Sequence, residues 1–166
     1  MATIAMVGAV LLSGCKTNDA ENGKDRVTIK SEPMGATVYN GSEALGTTPL
    51  KLTLDPNDSH SFTFKKLYFK DTQGYISPQP NQKSENFVKF GPLETAGYYV
   101  DLLPNPLVVE MEPEMLPNGV GADPLGEMAA IVYRVDQLLK ERKITRREHK
   151  YIVDKISDFY ENQTEY

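Results

Sequence analysis

Apolar and polar residues alternate in several short segments of the chain, and turn residues separate these segments. The alternation begins in residues 27–30 and returns in residues 36–41, 50–54 and 60–69. A period of two residues is typical of a strand that buries one face. The apolar segment 106–112 is predicted to be a last strand. Short strands spaced by turns predict a mainly β fold built as a small antiparallel β-sandwich.

The predicted sandwich covers residues 27–112 and contains one irregular region. Residues 71–86 are rich in polar residues, Pro and Gly, and they predict a long inserted loop. Aromatic residues and glycines then cluster at Phe87, Phe90, Gly91, Gly97, Tyr98 and Tyr99. We favour the interpretation that this cluster covers an open face of the sandwich. The alternative is contact with a ligand or partner, since aromatic patches mark interfaces.

After residue 112 the pattern becomes helical. Residues 113–122 contain two prolines and two glycines and predict a linker. Asp123 can cap a first helix, and Thr145 with Glu148 forms the capping box of a second. The apolar residues at helical spacing are Met128, Ile131, Val132, Val135, Leu138, Leu139, Ile152, Ile156 and Phe159. Residues 123–160 are therefore predicted to form an α-helical hairpin.

Two short helices are marginal alone in water, so the hairpin must dock on the sandwich or on another chain. Its apolar stripe is continuous over both helices, and a linker separates it from the strands. This arrangement favours self-association or a partner over docking within the same chain. Residues 135–156, VDQLLKERKITRREHKYIVDKI, also resemble the SHOCT module, which often ends oligomeric or membrane-associated proteins.

The most apolar run of the chain, residues 4–12, lies just before its only cysteine, Cys15. The run is far shorter than the roughly 20 residues that cross a bilayer as a helix, and it has the length of a signal-peptide core. The sequence LLSGCK, residues 11–16, resembles the lipobox of bacterial lipoproteins. The resemblance implies a signal peptide over residues 1–14, cleavage between Gly14 and Cys15, and a diacylglycerol on Cys15. The alternative is a buried N-terminal element with an inert core cysteine.

The residues after the cysteine are consistent with an anchored protein. Residues 15–26 are polar and charged and predict a flexible tether. In lipoproteins of diderm bacteria, an Asp directly after the cysteine favours retention in the inner membrane. The resemblance, with Lys16 at that position, therefore implies a lipid-anchored protein of the cell envelope, on the periplasmic side of the outer membrane.

Residues 28–54 resemble the PEGA repeat through two turn motifs. The motif residues are Pro33, Gly35, Ala36, Gly46, Thr48 and Pro49. The resemblance implies a compact β-sandwich of a family that is common in envelope proteins and serves as a binding or structural module. Pro fixes φ and Gly allows a positive φ, so we predict that these six residues are scaffold rather than ligand contacts.

Composition argues against several classes of function. The net charge of −5 over 166 residues gives no reason to expect a nucleic-acid partner. The 2 His and the single Cys argue against a zinc site, and no cofactor or metal is predicted. The run Asp58-Ser59-His60 lies in one turn, whereas a catalytic triad gathers residues from separate elements. We therefore predict no catalytic residue and no enzyme.

Basic residues surround the predicted hairpin turn: Lys140, Arg142, Lys143, Arg146, Arg147 and Lys150. They indicate either a solvated helix face, which we favour, or contact with anionic lipid headgroups.

Two functional hypotheses follow. The first is a lipid-anchored binding or assembly module that recognises an envelope protein or a cell-wall glycan and self-associates through its hairpin. The second is a purely structural spacer or subunit of a larger envelope complex.

Overall fold

The computed structural model describes residues 24–85 and 91–163, and these residues form eight strands, a short helix between the sixth and seventh strands, and two C-terminal helices. The strands are β1 (Asp25–Glu32), β2 (Thr37–Asn40), β3 (Glu43–Thr47), β4 (Leu50–Leu54), β5 (His60–Lys65), β6 (Thr72–Pro80), β7 (Val100–Leu103) and β8 (Leu107–Glu110). The helices are α1 (Pro92–Thr95), α2 (Pro124–Lys140) and α3 (Arg146–Gln163), and a 3-10 turn spans Gln82–Ser84. The predicted fold class, mainly β with a C-terminal helical hairpin, is confirmed.

The strands form two sheets. One has the order β4-β1-β8 and the other has the order β3-β2-β5-β6-β7. Most neighbours are antiparallel, but β1 pairs in parallel with β8, with Ile29 opposite Leu107. The first strand of the sandwich therefore lies between β4 and the last strand.

The core lies between the two sheets and is built by the period-two pattern. In β1, Val27 and Ile29 point inward and are fully buried, while Lys30 is exposed. In β5, Phe62 and Phe64 are at most 1% exposed and pack in the same cluster. Burying such side chains contributes about 1.5–3 kcal/mol each to folding, which explains why the alternation fixes the face of each strand.

The prediction of a long loop over residues 71–86 is wrong, because residues 72–80 form β6. The first half of β6 pairs with β5 and the second half pairs with β7, so each half has a hydrogen-bonding partner on one side. Pro78 and Pro80 lie in the second half, beyond the β5 ladder, where a missing N–H is tolerated. Gly74 is required by packing, since a Cβ there would lie 2.8 Å from Cγ2 of Val109.

The helical hairpin begins and turns as its capping residues predict. Asp123 caps α2 by accepting a hydrogen bond from the Gly126 amide, with 3.1 Å between Oδ1 and N. At the start of α3, the Glu148 amide donates to the Thr145 hydroxyl at 3.2 Å, and the Thr145 amide donates to the Glu148 carboxylate at 2.7 Å. These reciprocal bonds form the predicted capping box.

The hairpin docks on one end of the sandwich, which we call the hairpin end (residues 32–36, 66–70 and 110–116). The Tyr151 hydroxyl donates to the Met111 carbonyl at 3.1 Å, and the Tyr151 ring lies 6.1 Å from that of Phe69. Lys66 forms a 2.6 Å ion pair with Glu148, and both side chains are at most 15% exposed. The hairpin is thus tied to the sandwich by apolar, hydrogen-bonded and ionic contacts.

This docking buries the apolar stripe of the hairpin, which was expected from the sequence to contact a second chain. Val135, Ile152 and Ile156 are fully buried in the same cluster as the sandwich core. For this stripe, the preference for another chain over docking in the same chain is therefore wrong. The reason lies in residues 113–122, where Leu116 is buried and the Glu114 amide donates to the Tyr68 carbonyl. These contacts hold the connecting segment against the sandwich and bring the helices onto it.

Candidate functional surfaces

The two PEGA-like turns meet at the Thr48 side chain. Its hydroxyl accepts hydrogen bonds from the amides of Gly35 and Ala36, at 3.0 and 3.1 Å. The Thr48 backbone adds two bonds, since its amide donates to the Ala36 carbonyl and its carbonyl accepts from the Gly35 amide. Thr48, in the second turn, therefore holds the first turn through both its hydroxyl and its backbone.

A third hydroxyl group completes this arrangement, which we call the Thr48 hydroxyl network (Ser31, Pro33, Gly35, Ala36 and Thr48). The Ser31 hydroxyl donates to the Pro33 carbonyl at 2.7 Å and lies 2.5 Å from the Thr48 hydroxyl. A hydroxyl has one proton to donate. Since Ser31 uses its proton on Pro33, Thr48 must donate to Ser31. Each of the two hydroxyl protons in the network then has one acceptor.

The network is scaffold by its geometry. Ser31 is 2% exposed and Thr48 is 4% exposed, so no ligand reaches either hydroxyl. Gly35 has φ of 87°, a conformation that L side chains rarely adopt, as expected where the chain reverses. The sequence motif included Thr48 but missed Ser31. The available signal was its position, because Ser31 continues the inward-facing series of Val27 and Ile29 and is thus a polar residue at a core position.

The remaining motif residues complete the turns around this network. Pro33 and Ala36 are buried, whereas Pro49 is exposed and Gly46 is half-buried with φ of 142°. Together they set the path of the chain between strands.

A second apolar surface lies on α2 beside the side that packs on the core: Met128 and Val132 are partly buried against the core cluster, whereas Leu125 and Tyr133 are exposed. We call it the α2 outer face, and it consists of Leu125, Met128, Ala129, Val132 and Tyr133. Leu125 is 80% exposed and Tyr133 is 64% exposed, although both are large apolar side chains. Two hollows of about 570 and 430 Å³ flank the face, and Leu125 and Met128 line both. The apolar stripe predicted from the sequence included Met128 and Val132 but not Leu125, Ala129 and Tyr133, although Leu125, Ala129 and Val132 recur at helical spacing.

Comparison with known families finds a match to the first part of the sandwich. Residues 25–94 match the PEGA domain model. The matched region begins with β1, contains the whole Thr48 hydroxyl network and ends in α1. A PEGA domain indicates a binding or spacer module. Neither the curated proteins nor the solved structures contain a match to this chain.

Of the strands and helices in the described part of the chain, β7, β8 and the helical hairpin lie beyond the PEGA match. Strand β8 pairs with β1 of the PEGA region, and α3 contacts it through Tyr151 and Phe69. The PEGA region and the hairpin thus share one apolar core.

The basic residues around the hairpin turn are all exposed: Lys140, Arg142, Lys143, Arg146, Arg147 and Lys150. Two of them have acidic neighbours, since Lys143 lies 2.7 Å from Glu141 and Lys150 lies 2.5 Å from Asp154. The hydrogen bond to Glu141 raises the pKa of Lys143. Exposed ion pairs of this kind contribute little to stability and agree with a solvated helix face.

The run Asp58-Ser59-His60, which was not predicted to be a catalytic triad, ends at the first residue of β5. His60 bonds through Nε2 to the Asp55 carbonyl at 2.8 Å and so belongs to its turn. Within residues 24–85 and 91–163, no group of three or more His, Cys, Asp or Glu side chains could hold a metal ion.

The predicted anchor residues, Gly14 and Cys15, lie outside the described residues, as do most of the tether and Phe87 and Phe90 of the aromatic cluster. No helix in the described part of the chain has the length and apolar character needed to span a membrane.

Proposed function

We propose that this protein is a lipid-anchored assembly module of the cell envelope. The lipobox-like sequence that ends at Cys15 would supply the anchor, and the PEGA domain would supply a rigid body. The α2 outer face would form the contact with another molecule. The resemblance of the hairpin to SHOCT modules, which often end oligomeric proteins, supports the same role.

The observation that carries the proposal is the exposure of the α2 outer face. The neighbouring side of α2 is used by the core, where Val135 is fully buried. Leu125 and Tyr133 nevertheless leave most of their apolar surface in water. Clustered exposed apolar side chains beside hollows mark interaction sites more often than isolated ones do.

A second copy of the chain is the occupant that fits this face best. Leu125 lies four residues before Ala129, and Tyr133 lies four residues after it. An antiparallel pair of α2 helices with its two-fold axis at Ala129 therefore brings Leu125 of one copy onto Tyr133 of the other. The small side chain of Ala129 lets the helices approach closely at the axis. A self-complementary patch of this kind is what a two-fold dimer requires.

Sedimentation velocity on residues 15–166 carrying Cys15→Ser, which removes the lipid, tests the proposal. We expect a concentration-dependent dimer. The double variant Leu125→Asp with Tyr133→Asp should be monomeric with an unchanged circular dichroism spectrum, because both side chains are exposed in the single chain. Leu67→Asp is the matched control, since Leu67 is 72% exposed but lies outside α2; this variant should still dimerise.

A monomer at every concentration, or a dimer that survives the double variant, would contradict the assembly role of this face. The spacer hypothesis would then be favoured, and one observation supports it. The described chain enters the sandwich at Lys24, while β1 leads directly to the hairpin end at Glu32. A strand of eight residues is about 25 Å long, so the domain could separate the anchor from the hairpin by that distance.

A further inference from the structure

A cleft of about 290 Å³ lies at the end of the sandwich opposite the hairpin, which we call the N-terminal end (residues 24–25, 55–59 and 95–101). Charged and polar side chains line it together with Leu93, Ala96 and Val100. Its chemical character comes from Lys24, Asp25, Asn81, Lys83, Tyr98 and Asp101. These side chains come from β1, β7, the 3-10 turn and the segment after α1. Convergence of polar groups from four segments distinguishes this cleft from the apolar α2 outer face.

The Asn81 side chain forms hydrogen bonds with three other residues that line the cleft. Its side-chain oxygen accepts a hydrogen bond from the Lys83 amide at 3.1 Å and so caps the 3-10 turn. Its side-chain nitrogen donates to the Tyr98 carbonyl at 3.1 Å and to the Asp101 carboxylate at 3.3 Å. The positions of Lys83, Tyr98 and Asp101 are therefore fixed before any ligand arrives, which reduces the entropy lost on binding.

The Tyr98 ring is also positioned from behind. Gly97 has φ of 71° and packs so tightly on Pro56 that a Cβ would lie 2.1 Å from the Cγ of that proline. The buried Tyr99 ring meets Tyr98 edge-on at 5.3 Å, and the Lys83 ammonium lies 4.2 Å from the centre of the Tyr98 ring. Tyr98 nevertheless remains 45% exposed. The structure thus presents a rigid, partly open aromatic ring beside charged groups.

The charges of the cleft balance. Lys24 and Lys83 are basic, and Asp25 and Asp101 are acidic, so the four charges sum to zero. Partial burial raises the pKa of Asp25, a backbone hydrogen bond at Leu102 lowers it, and the Asp101 charge raises it again, with a net rise above its ordinary value of 3.8. A partly desolvated carboxylate gains more from a hydroxyl donor than a fully solvated one does. The cleft therefore offers hydrogen-bond acceptors and donors without a net field that would select a strongly charged ligand.

We propose that this cleft binds a neutral sugar of mono- or disaccharide size. A pyranose ring carries hydroxyl groups around its edge and C–H groups on its faces. The hydroxyls suit Asp25, Asp101 and Lys24, and a C–H face suits the open part of the Tyr98 ring. The volume of about 290 Å³ is at the small end of ligand sites and suits a ligand of this size. This inference goes beyond the assembly role, because the cleft and α2 are at opposite ends of the sandwich.

NMR titration of residues 15–166 carrying Cys15→Ser, with N,N′-diacetylchitobiose, cellobiose and maltose as separate probes, tests the proposal. We expect saturable shifts of the Asn81, Tyr98 and Asp101 amides with at least one probe. Digalacturonic acid, a charged disaccharide, should bind no better than the neutral ones.

Variants then test the roles of the side chains. Tyr98→Ala should weaken binding about tenfold, and Tyr98→Phe, which keeps the ring, should bind like the wild type. Tyr75→Ala is the matched control, since Tyr75 is 60% exposed on β6, outside the cleft, and should leave binding unchanged.

If Tyr98→Ala impairs folding, the titration of the wild type still tests whether the cleft binds a sugar. The proposal is overturned if none of the neutral probes shifts these amides, if the shifts map to another surface, or if a folded Tyr98→Ala binds like the wild type. Dimerisation through α2 would be unaffected by any of these results.

Discussion

Replacing Thr48 by Val tests the hydroxyl network that joins the two PEGA turns. The variant keeps the shape of the side chain but removes its oxygen. The Gly35 amide retains a partner, because it also donates to the Thr48 carbonyl at 3.0 Å. The Ala36 amide donates to the Thr48 hydroxyl, and it would lose that bond in a buried site. The hydroxyl-to-hydroxyl bond to Ser31 is lost as well.

The expected cost follows from these two losses. A buried N–H without a partner costs about 1–3 kcal/mol, and the lost bond to Ser31 adds about 1 kcal/mol. Thr48→Val should therefore lower the free energy of unfolding by about 2–4 kcal/mol. For a domain of this size the melting temperature should fall by about 5–15 °C. Thermal and urea unfolding followed by circular dichroism measure both quantities.

Two further variants separate the hydroxyl from the rest of the side chain. Thr48→Ser keeps the oxygen and should cost about 1 kcal/mol through the lost methyl group. Ser31→Ala with Thr48→Val should cost less than the sum of the single changes, since the two groups share one bond. The reasoning is refuted if the free energy of unfolding of Thr48→Val lies within about 0.5 kcal/mol of the wild-type value. It is also refuted if Thr48→Ser is destabilised as much as Thr48→Val, because the hydroxyl network would then not be what stabilises the turns.

Four other predictions concern separate parts of the chain. Gly35→Val should lower the free energy of unfolding by about 1–3 kcal/mol, because valine is strained at φ of 87°. Thermal melting measures this loss, and an unchanged melting temperature would contradict the turn geometry. Burial raises the pKa of Glu148, but hydrogen bonds from Lys66 and the Thr145 capping group outweigh it and hold the pKa below its ordinary value of 4.5. The stability that this carboxylate contributes should therefore be complete above about pH 5 and be lost as the pH falls through the lowered pKa. Urea unfolding of wild type and Glu148→Gln should differ at neutral pH and converge in acid; a constant difference would refute the pairing. Ile156→Asp should destabilise the whole domain, so that strand and helix signals melt together, whereas a sandwich that melts like the wild type would show that the hairpin docks weakly. Cys15→Ser should move the protein from the membrane fraction to the soluble fraction of a bacterial host, and an unchanged distribution would contradict lipidation.

Local patterns were sufficient to predict much of the fold. Alternation in residues 27–30 predicted β1 because one face of that strand is buried, and the capping residues Asp123 and Thr145 predicted where the helices begin. These signals depend only on neighbouring residues. The PEGA-like turn motifs were equally readable, since Gly35 serves a local backbone reversal.

Features that depend on distant contacts were not predictable in the same way. Gly74 and Pro78 are loop signals in the sequence, but Gly74 is needed because Val109 packs on it and Pro78 is tolerated because β5 does not reach it. The hairpin stripe showed that the helices must dock, but not on what. The N-terminal cleft joins β1 to residues more than 50 positions later, so no local pattern marks it.

The parallel pairing of β1 with β8 has a consequence for the order in which this protein can fold. During synthesis β1 emerges first, but its neighbour β8 is complete only once residue 110 has been made. Until then, the edge of β1 that pairs with β8 is open, and the inward-facing Val27 and Ile29 lack that neighbouring strand. The pairing of β1 with β8 is expected to be slow, because it closes a long loop of chain between the two strands. A fragment that ends with the PEGA match at residue 94 would keep that open strand edge permanently. The PEGA region of this chain is therefore a part of a folding unit whose completion waits for β8 and for the helices that follow it.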